Sequence, residues 1–186
     1  MVDILFISAS PVKNRNNERS VKQMMKIAQD EGFKFLDHIF LSETETAPCI
    51  DCNKCKENPK CFDDKANAVN DRLVNARAIM ICSPVYFGTM PAQLKALFDR
   101  TRPLRRHGLR LRNKIGAAVT IGGSRNGGQE TAIMSIHTWM HIQGMIVCGD
   151  DSHYGGTLQV PAIEDDWGQG TLERTVRKVC DLLKTF

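Results

Sequence analysis

Four of the seven cysteines in this 186-residue chain fall within thirteen residues, as Cys49-x2-Cys52-x2-Cys55-x5-Cys61. Four thiolates at that density can hold a metal. A [4Fe–4S] cluster takes one Cys per iron, and a tetrahedral zinc ion also accepts four cysteines. The x2-x2 spacing favours iron–sulfur, because zinc sites more often use two separated C-x2-C knuckles. Pro48 and the mostly polar residues between the thiols leave the segment free to wrap a cubane. Zinc and an empty thiol loop remain the alternatives. A disulfide is disfavoured by a reducing compartment.

The other candidate ligands have plainer readings. Cys82, Cys148 and Cys180 fall in apolar strand or helix patterns and read as small core residues. His137 and His141 share an i, i+4 face, but Thr138 stands where H-E-x-x-H requires its acid, so packing is expected.

The elements that must carry these residues follow from periodicity. Val2–Ser8 is a nearly continuous apolar run, as a parallel strand buried on both faces requires. Helix follows from Glu18 to about Glu31, stopped by Gly32, and Phe33–Leu41 reads as a second strand. Residues 42–63 lack periodicity and form a cysteine-rich insert. The pattern continues as helix at Asp64–Ala76, strand at Ala78–Cys82 and helix at Met90–Arg102 with Pro91 in its first turn. Strand at Ile115–Ile121, helix at Gln129–Gln143, strand at Gly144–Cys148 and helix at Thr171–Leu183 complete it. The β-α alternation predicts an α/β fold: a five-stranded doubly wound parallel sheet with helices on both faces. Residues 1–186 read as one domain.

In such sheets ligands lie outside the carboxyl ends of the strands. Three loops have that position. Residues 8–17 offer hydroxyls, amides and a helix N-terminus to a phosphate, without a P-loop or G-x-G-x-x-G motif. Ser83-Pro84-Val85-Tyr86-Phe87-Gly88 can supply an apolar wall to a flat heterocycle, unless both aromatics are core. Gly122-Gly123-Ser124-Arg125-Asn126-Gly127-Gly128 lets the backbone approach a ligand closely. His153-Tyr154-Gly155-Gly156, after the fifth strand, is expected at the same edge, where it could shape a substrate side.

Ser8-Ala9-Ser10-Pro11-x-Lys13-Asn14-x-Asn16 resembles the phosphate loop of the NAD(P)H-dependent FMN reductase superfamily. Ser83–Gly88 with Met90–Lys95 is similar to its flavin segment, and Gly122–Glu130 to its third loop. The resemblance implies a flavodoxin-like fold. It assigns FMN phosphate to Ser8, Ser10, Asn16 and Asn17. It sets the isoalloxazine ring against Pro84, Val85, Tyr86, Phe87 and Gly88, and against Gly122, Gly123 and Ser124. Val12, Arg15 and Asn17 depart from the residues common at those positions. The cysteine motif resembles that of the iron–sulfur flavoproteins, a branch of the same superfamily, which implies a [4Fe–4S] cluster on Cys49, Cys52, Cys55 and Cys61.

Composition bounds the rest. Hydrophobic residues are 42% and charged residues 25%, suited to a globular chain, and no stretch approaches the roughly 20 apolar residues of a membrane span. Val2–Ile7 is too short for a signal core, so the cytoplasm is expected. The net charge of +4 is concentrated: Arg100 to Lys114 holds seven basic residues and no acid. That run reads as a solvated loop, a subunit contact with the acids at 150–151 and 164–166, or a dock for an acidic carrier or a cofactor phosphate. One basic loop without a recognised module argues against nucleic acid.

The resemblance implies an FMN-dependent oxidoreductase in which a ferredoxin-like donor feeds a cluster, the cluster feeds FMN, and FMN reduces a small acceptor. It also implies a homodimer or homotetramer. The alternatives are an NAD(P)H-dependent FMN or quinone reductase without a cluster, and a non-enzymatic flavin- or zinc-binding module. No protein side chain is assigned as an acid or base.

Overall fold

The computed structural model describes all of residues 1–186. Its strands are β1 (Val2–Ser8), β2 (Leu36–Phe40), β3 (Ala76–Pro84), β4 (Ile115–Gly122), β5 (Ile146–Val147) and β6 (Gly156–Gln159). Its helices are α1 (Asn16–Asp30), α2 (Asp64–Asn75), α3 (Ala92–Arg100), α4 (Arg102–Arg106), α5 (Gln129–Ile142) and α6 (Asp166–Thr185). All strand pairs are parallel, in the order β2-β1-β3-β4-β5, with β6 also on β4. This is the flavodoxin-like α/β fold expected from the sequence.

Each face of the sheet has its own core. Ile4, Phe6, Met80 and Val119 meet Val21, Met24 and Ala28 of α1 and Leu172, Val176 and Val179 of α6. Leu5, Ile7, Ile79 and Ile81 meet Leu73 of α2, Leu97 of α3, Leu104 of α4 and Ile136 of α5. Period-two alternation within strands that are covered on both sides produces this division.

The fifth sheet position differs from expectation. Two short strands fill it: β5 pairs with Ile115 and Gly116, and β6 pairs with Val119 to Gly122. Residues 148–155 loop out between them. Asp150 holds that loop by accepting from the Ser152 amide at 3.0 Å and from Arg174 at 3.0 Å. Gly155 lies so close to β4 that a Cβ there would stand 2.2 Å from the Ala118 carbonyl oxygen. The His153–Gly156 segment is therefore midway along β4 and not at the carboxyl edge. The apolar signal of Leu158 was too short and too glycine-flanked to be read as a strand.

The helix expected over Met90–Arg102 is also divided. Pro91 is its N-cap, and α3 stops before Thr101, where the chain turns into α4. Pro103, without an N–H, cannot extend the α3 hydrogen-bond ladder. Thr101 is fully buried, and its hydroxyl donates to the Phe98 carbonyl at 2.6 Å. The same hydroxyl accepts from Trp139 Nε1 at 3.0 Å and Gln143 Nε2 at 2.8 Å. The Trp139 ring stacks on Phe98 with centroids 4.1 Å apart. This knot sets the direction in which α4 leaves α3.

His137 is buried on α5, its Nε2 without a partner. Burial, with a smaller contribution from His141, pushes its pKa down to about 4. It packs, as the sequence implied.

Two outcomes are expected. Thr101→Val keeps the shape but strands two buried donors, and should cost about 2–4 kcal/mol in urea unfolding. His137 binds its proton more weakly folded than unfolded, so stability present above pH 6.5 falls as pH drops toward about 4. The loss should reach roughly 3 kcal/mol and be absent in His137→Leu.

Candidate functional site

All three expected loops emerge at the carboxyl edge. They follow β1, β3 and β4, and the chain direction across the sheet reverses between β1 and β3. In the first loop Ser8 is fully buried, and its Oγ has no hydrogen-bond partner. Ser10 Oγ accepts from the Val12 amide at 3.1 Å, shaping the turn. Asn16 opens α1, whose N-cap, Arg15, makes no side-chain cap to the first-turn N–H groups. Asn17 points its side-chain amide inward, donating to Cys82 Sγ at 3.5 Å. Burial drives the Cys82 thiol up to about 12, consistent with a core residue. Glu18, which sequence reasoning passed over, is buried; it accepts from the Asn14 amide at 2.7 Å and from the Ser42 hydroxyl. It ties the loop to the start of the cysteine segment.

The second loop is a tight reversal. Tyr86 and Thr89 exchange backbone hydrogen bonds of 2.9 and 3.1 Å, with Phe87 at φ +50° and Gly88 at φ +76°. Tyr86 is partly exposed and Phe87 fully so; neither is a core aromatic. Pro84 and Val85 are half-buried at its base. The third loop is fastened to the second by the Val85 amide on the Ile121 carbonyl at 3.0 Å and by Thr131 Oγ1 on the Gly88 carbonyl at 2.7 Å. Gly128, at φ +97°, would bring a Cβ within 2.8 Å of Gly88 Cα, so the two loops need glycine at their contact. Gly122 is buried, while Gly123 and Ser124 are exposed. Arg125 pairs with Asp165 and lies over Trp167, beside a cavity that also takes in Asn126, Gln129 and Thr157.

The cysteine segment leaves β2 at this same edge. Asp51 and Asn53, flanking Cys52, take left-handed φ values of +49° and +61°, which Asp and Asn tolerate. Lys54–Lys56 then makes one 3-10 turn. Cys61 is held on α2: its amide donates to Asn67 Oδ1 and its carbonyl accepts from Asn67 Nδ2, both at 2.8 Å. Asp63 caps α2 through the Lys65 and Ala66 amides. Cys49, Cys52, Cys55 and Cys61 line one small cavity, walled by Asp99, Arg100, Arg102 and Pro103. No three acidic, His or Cys side chains meet as the ligands of a single ion would.

The basic run supplies the positive side of that cavity. Arg100 Nη1 lies 3.4 Å from Cys61 Sγ, Arg106 Nη1 3.3 Å from Cys55 Sγ and Arg102 Nη1 3.8 Å from Cys49 Sγ. Arg102 also pairs with Asp51, and His107 Nε2 lies 3.0 Å from the Cys55 carbonyl. Of the five acids named as partners for this run, three pair with other cations of the chain, Asp150 with Arg174, Asp151 with Lys178 and Asp165 with Arg125, while Glu164 and Asp166 make no ion pair within it. An acid-free run of arginines was visible in the sequence. Its partners were not, because they lie about 50 residues away in an irregular segment.

The family model described as NADPH-dependent FMN reductase matches residues 2–156. An iron-sulfur flavoprotein of Methanosarcina thermophila is 48% identical over 182 residues, 97% of this chain and 95% of that one. An iron-sulfur flavoprotein of Methanocaldococcus jannaschii is 42% identical over 189 residues, 97% of each chain. The crystal structure of a flavodoxin, WrbA-like protein from Agrobacterium tumefaciens superposes with a TM-score of 0.71 at 13% identity, over 100% of this chain and 99% of that one. That last likeness speaks to the fold alone.

Proposed function

The chain belongs to the NADPH-dependent FMN reductase family and, with the iron–sulfur flavoproteins it matches, is an FMN-dependent oxidoreductase; from that premise we propose that it carries electrons from a reduced ferredoxin-like donor, by way of a [4Fe–4S] cluster on Cys49, Cys52, Cys55 and Cys61, to FMN and a small-molecule acceptor. The observation that carries this reading is the single cavity shared by the four thiols and faced by three arginines. Positive charge there offsets the charge that four thiolates bring to a metal. The x2-x2 spacing of Cys49, Cys52 and Cys55 suits a [4Fe–4S] cluster better than the two separated C-x2-C knuckles common at zinc.

The carboxyl-edge loops suit FMN. The unpartnered Ser8 hydroxyl, Ser10, Asn16 and the backbone of Asn17 are the proposed phosphate donors, at a helix N-terminus that favours anions. Pro84 to Gly88 would border one side of the ring, with Tyr86 and Phe87 already outside the core. Gly122, Gly123 and Ser124 would border it from the third loop. A cluster handles one electron and FMN one or two, so together they join single-electron supply to two-electron chemistry. The protein's own work is to bind and orient both groups.

Arg102, Arg105 and Arg106 line a surface groove, and Arg102 and Arg106 also reach the thiols of Cys49 and Cys55. That basic face is the proposed dock for an acidic donor. We read the chain as one FMN-binding domain with an insert at about 42–63, assembled as a homodimer or homotetramer and working in the cytoplasm. No helix is long and apolar enough to cross a membrane.

Protein prepared without oxygen should contain about four irons and four sulfides per chain. Cys52→Ala should remove the broad cluster absorption and keep FMN. One zinc and no iron would reject the cluster. Anaerobic mixing with reduced ferredoxin should bleach the flavin quickly, more slowly as ionic strength rises from about 0.01 to 0.15 M. Equally fast bleaching by NADPH alone would replace this donor with direct hydride transfer.

A further inference from the structure

Arg100 is only 3% exposed, an unusual state for a charged side chain. Burial of a guanidinium is tolerable only when its donors are satisfied, and each contact here falls on one segment. Nε donates to the Ala47 carbonyl at 2.9 Å, and Nη2 to the Pro48 carbonyl at 2.8 Å. Nη1 reaches Cys61 Sγ at 3.4 Å, the Asp63 carboxylate lies 3.6 Å away, and the Phe62 ring centroid is 4.9 Å from the guanidinium carbon. The first two contacts precede the first cysteine. The others begin at the last.

We propose that Arg100 is the positioning residue of the cysteine loop: its planar fork joins the two ends of the segment, at Ala47–Pro48 and Cys61–Asp63, so that the loop is closed before iron arrives. The inference rests on reading the four thiols as cluster ligands, but the closure itself belongs to the metal-free chain. An irregular segment left open loses entropy when its ends are brought together, and a metal would then have to supply that closure. Arg100 removes the requirement. Its own position is fixed by Asn70 Nδ2, which donates to the Arg100 carbonyl at 3.1 Å, and by the buried Thr101 that follows it. Lysine has the charge but not the fork, so it cannot reach both ends at once.

The test is amide hydrogen exchange on metal-free, FMN-loaded protein, followed by anaerobic reconstitution with iron and sulfide. Arg100→Lys and Arg100→Met should both accelerate exchange across residues 47–63 by about 10-fold or more. Strands β1, β3 and β4 should keep wild-type rates, and both variants should take up less iron and sulfide. Wild-type loop rates in the variants, full rescue by lysine, or equal acceleration of the core strands would each overturn the proposal. If wild-type protein takes up no iron while the variants still loosen the loop, the clamp stands and the cluster reading fails. Should neither variant fold, the Arg100 Nε–H in metal-free wild-type protein decides by NMR: slower exchange than the exposed Arg110 supports the clamp, and an equal rate overturns it.

Discussion

A parallel sheet must be covered on both faces, and every connection between its neighbouring strands must cross from one end to the other. That requirement governs this molecule. With β3 at the centre and the strand order reversing between β1 and β3, the segments after β1, β2, β3 and β4 all start at one edge. Residues with no periodicity of their own therefore collect beside one another: the serine loop, the cysteine segment, the aromatic reversal and the glycine loop. The helices occupy the faces and the chemistry is left to the edge.

The loops are then locked by local bonds more than by apolar contact. Val85 and Ile121, Gly88 and Thr131, and Asn14, Ser42 and Glu18 form separate fastenings, each made by groups that would otherwise be unsatisfied near the core. Ser8 has no such fastening; its hydroxyl is buried with no partner. A hydroxyl left in that state is what a bound phosphate would relieve. On the other side of the site, Phe87 spends its apolar surface on solvent, in a turn whose positive φ holds it there.

The cysteine segment solves a different problem. It is mostly exposed and has one short turn, so packing alone would not order it. Charge does this work. Arginines on α3 and α4 reach across to the thiols and to the loop backbone, Arg100 before the break at Thr101 to Cys61 and Arg102 after it to Cys49. The knot of Phe98, Thr101, Trp139 and Gln143 thus links the far helix α5 to the geometry of the metal-ligand candidates.

Pattern and residue chemistry were enough for the sheet class, most helices, the three edge loops and the cysteine motif, because each has a local signal: apolar runs, caps, glycines, spaced thiols. Cys82 and Cys180 read as core from their apolar neighbours and are buried. Local signals could not reveal that the fifth strand position is shared by β5 and β6, since a two-residue and a four-residue strand carry almost no periodicity. Nor could they tell whether Tyr86 and Phe87 face the core. The basic run had a sign but no partner in one dimension. Only the tertiary structure, by folding α3 and α4 against a segment some 50 residues earlier, turned those charges toward sulfur. Sequence determines which groups are available; long-range packing determines which of them meet.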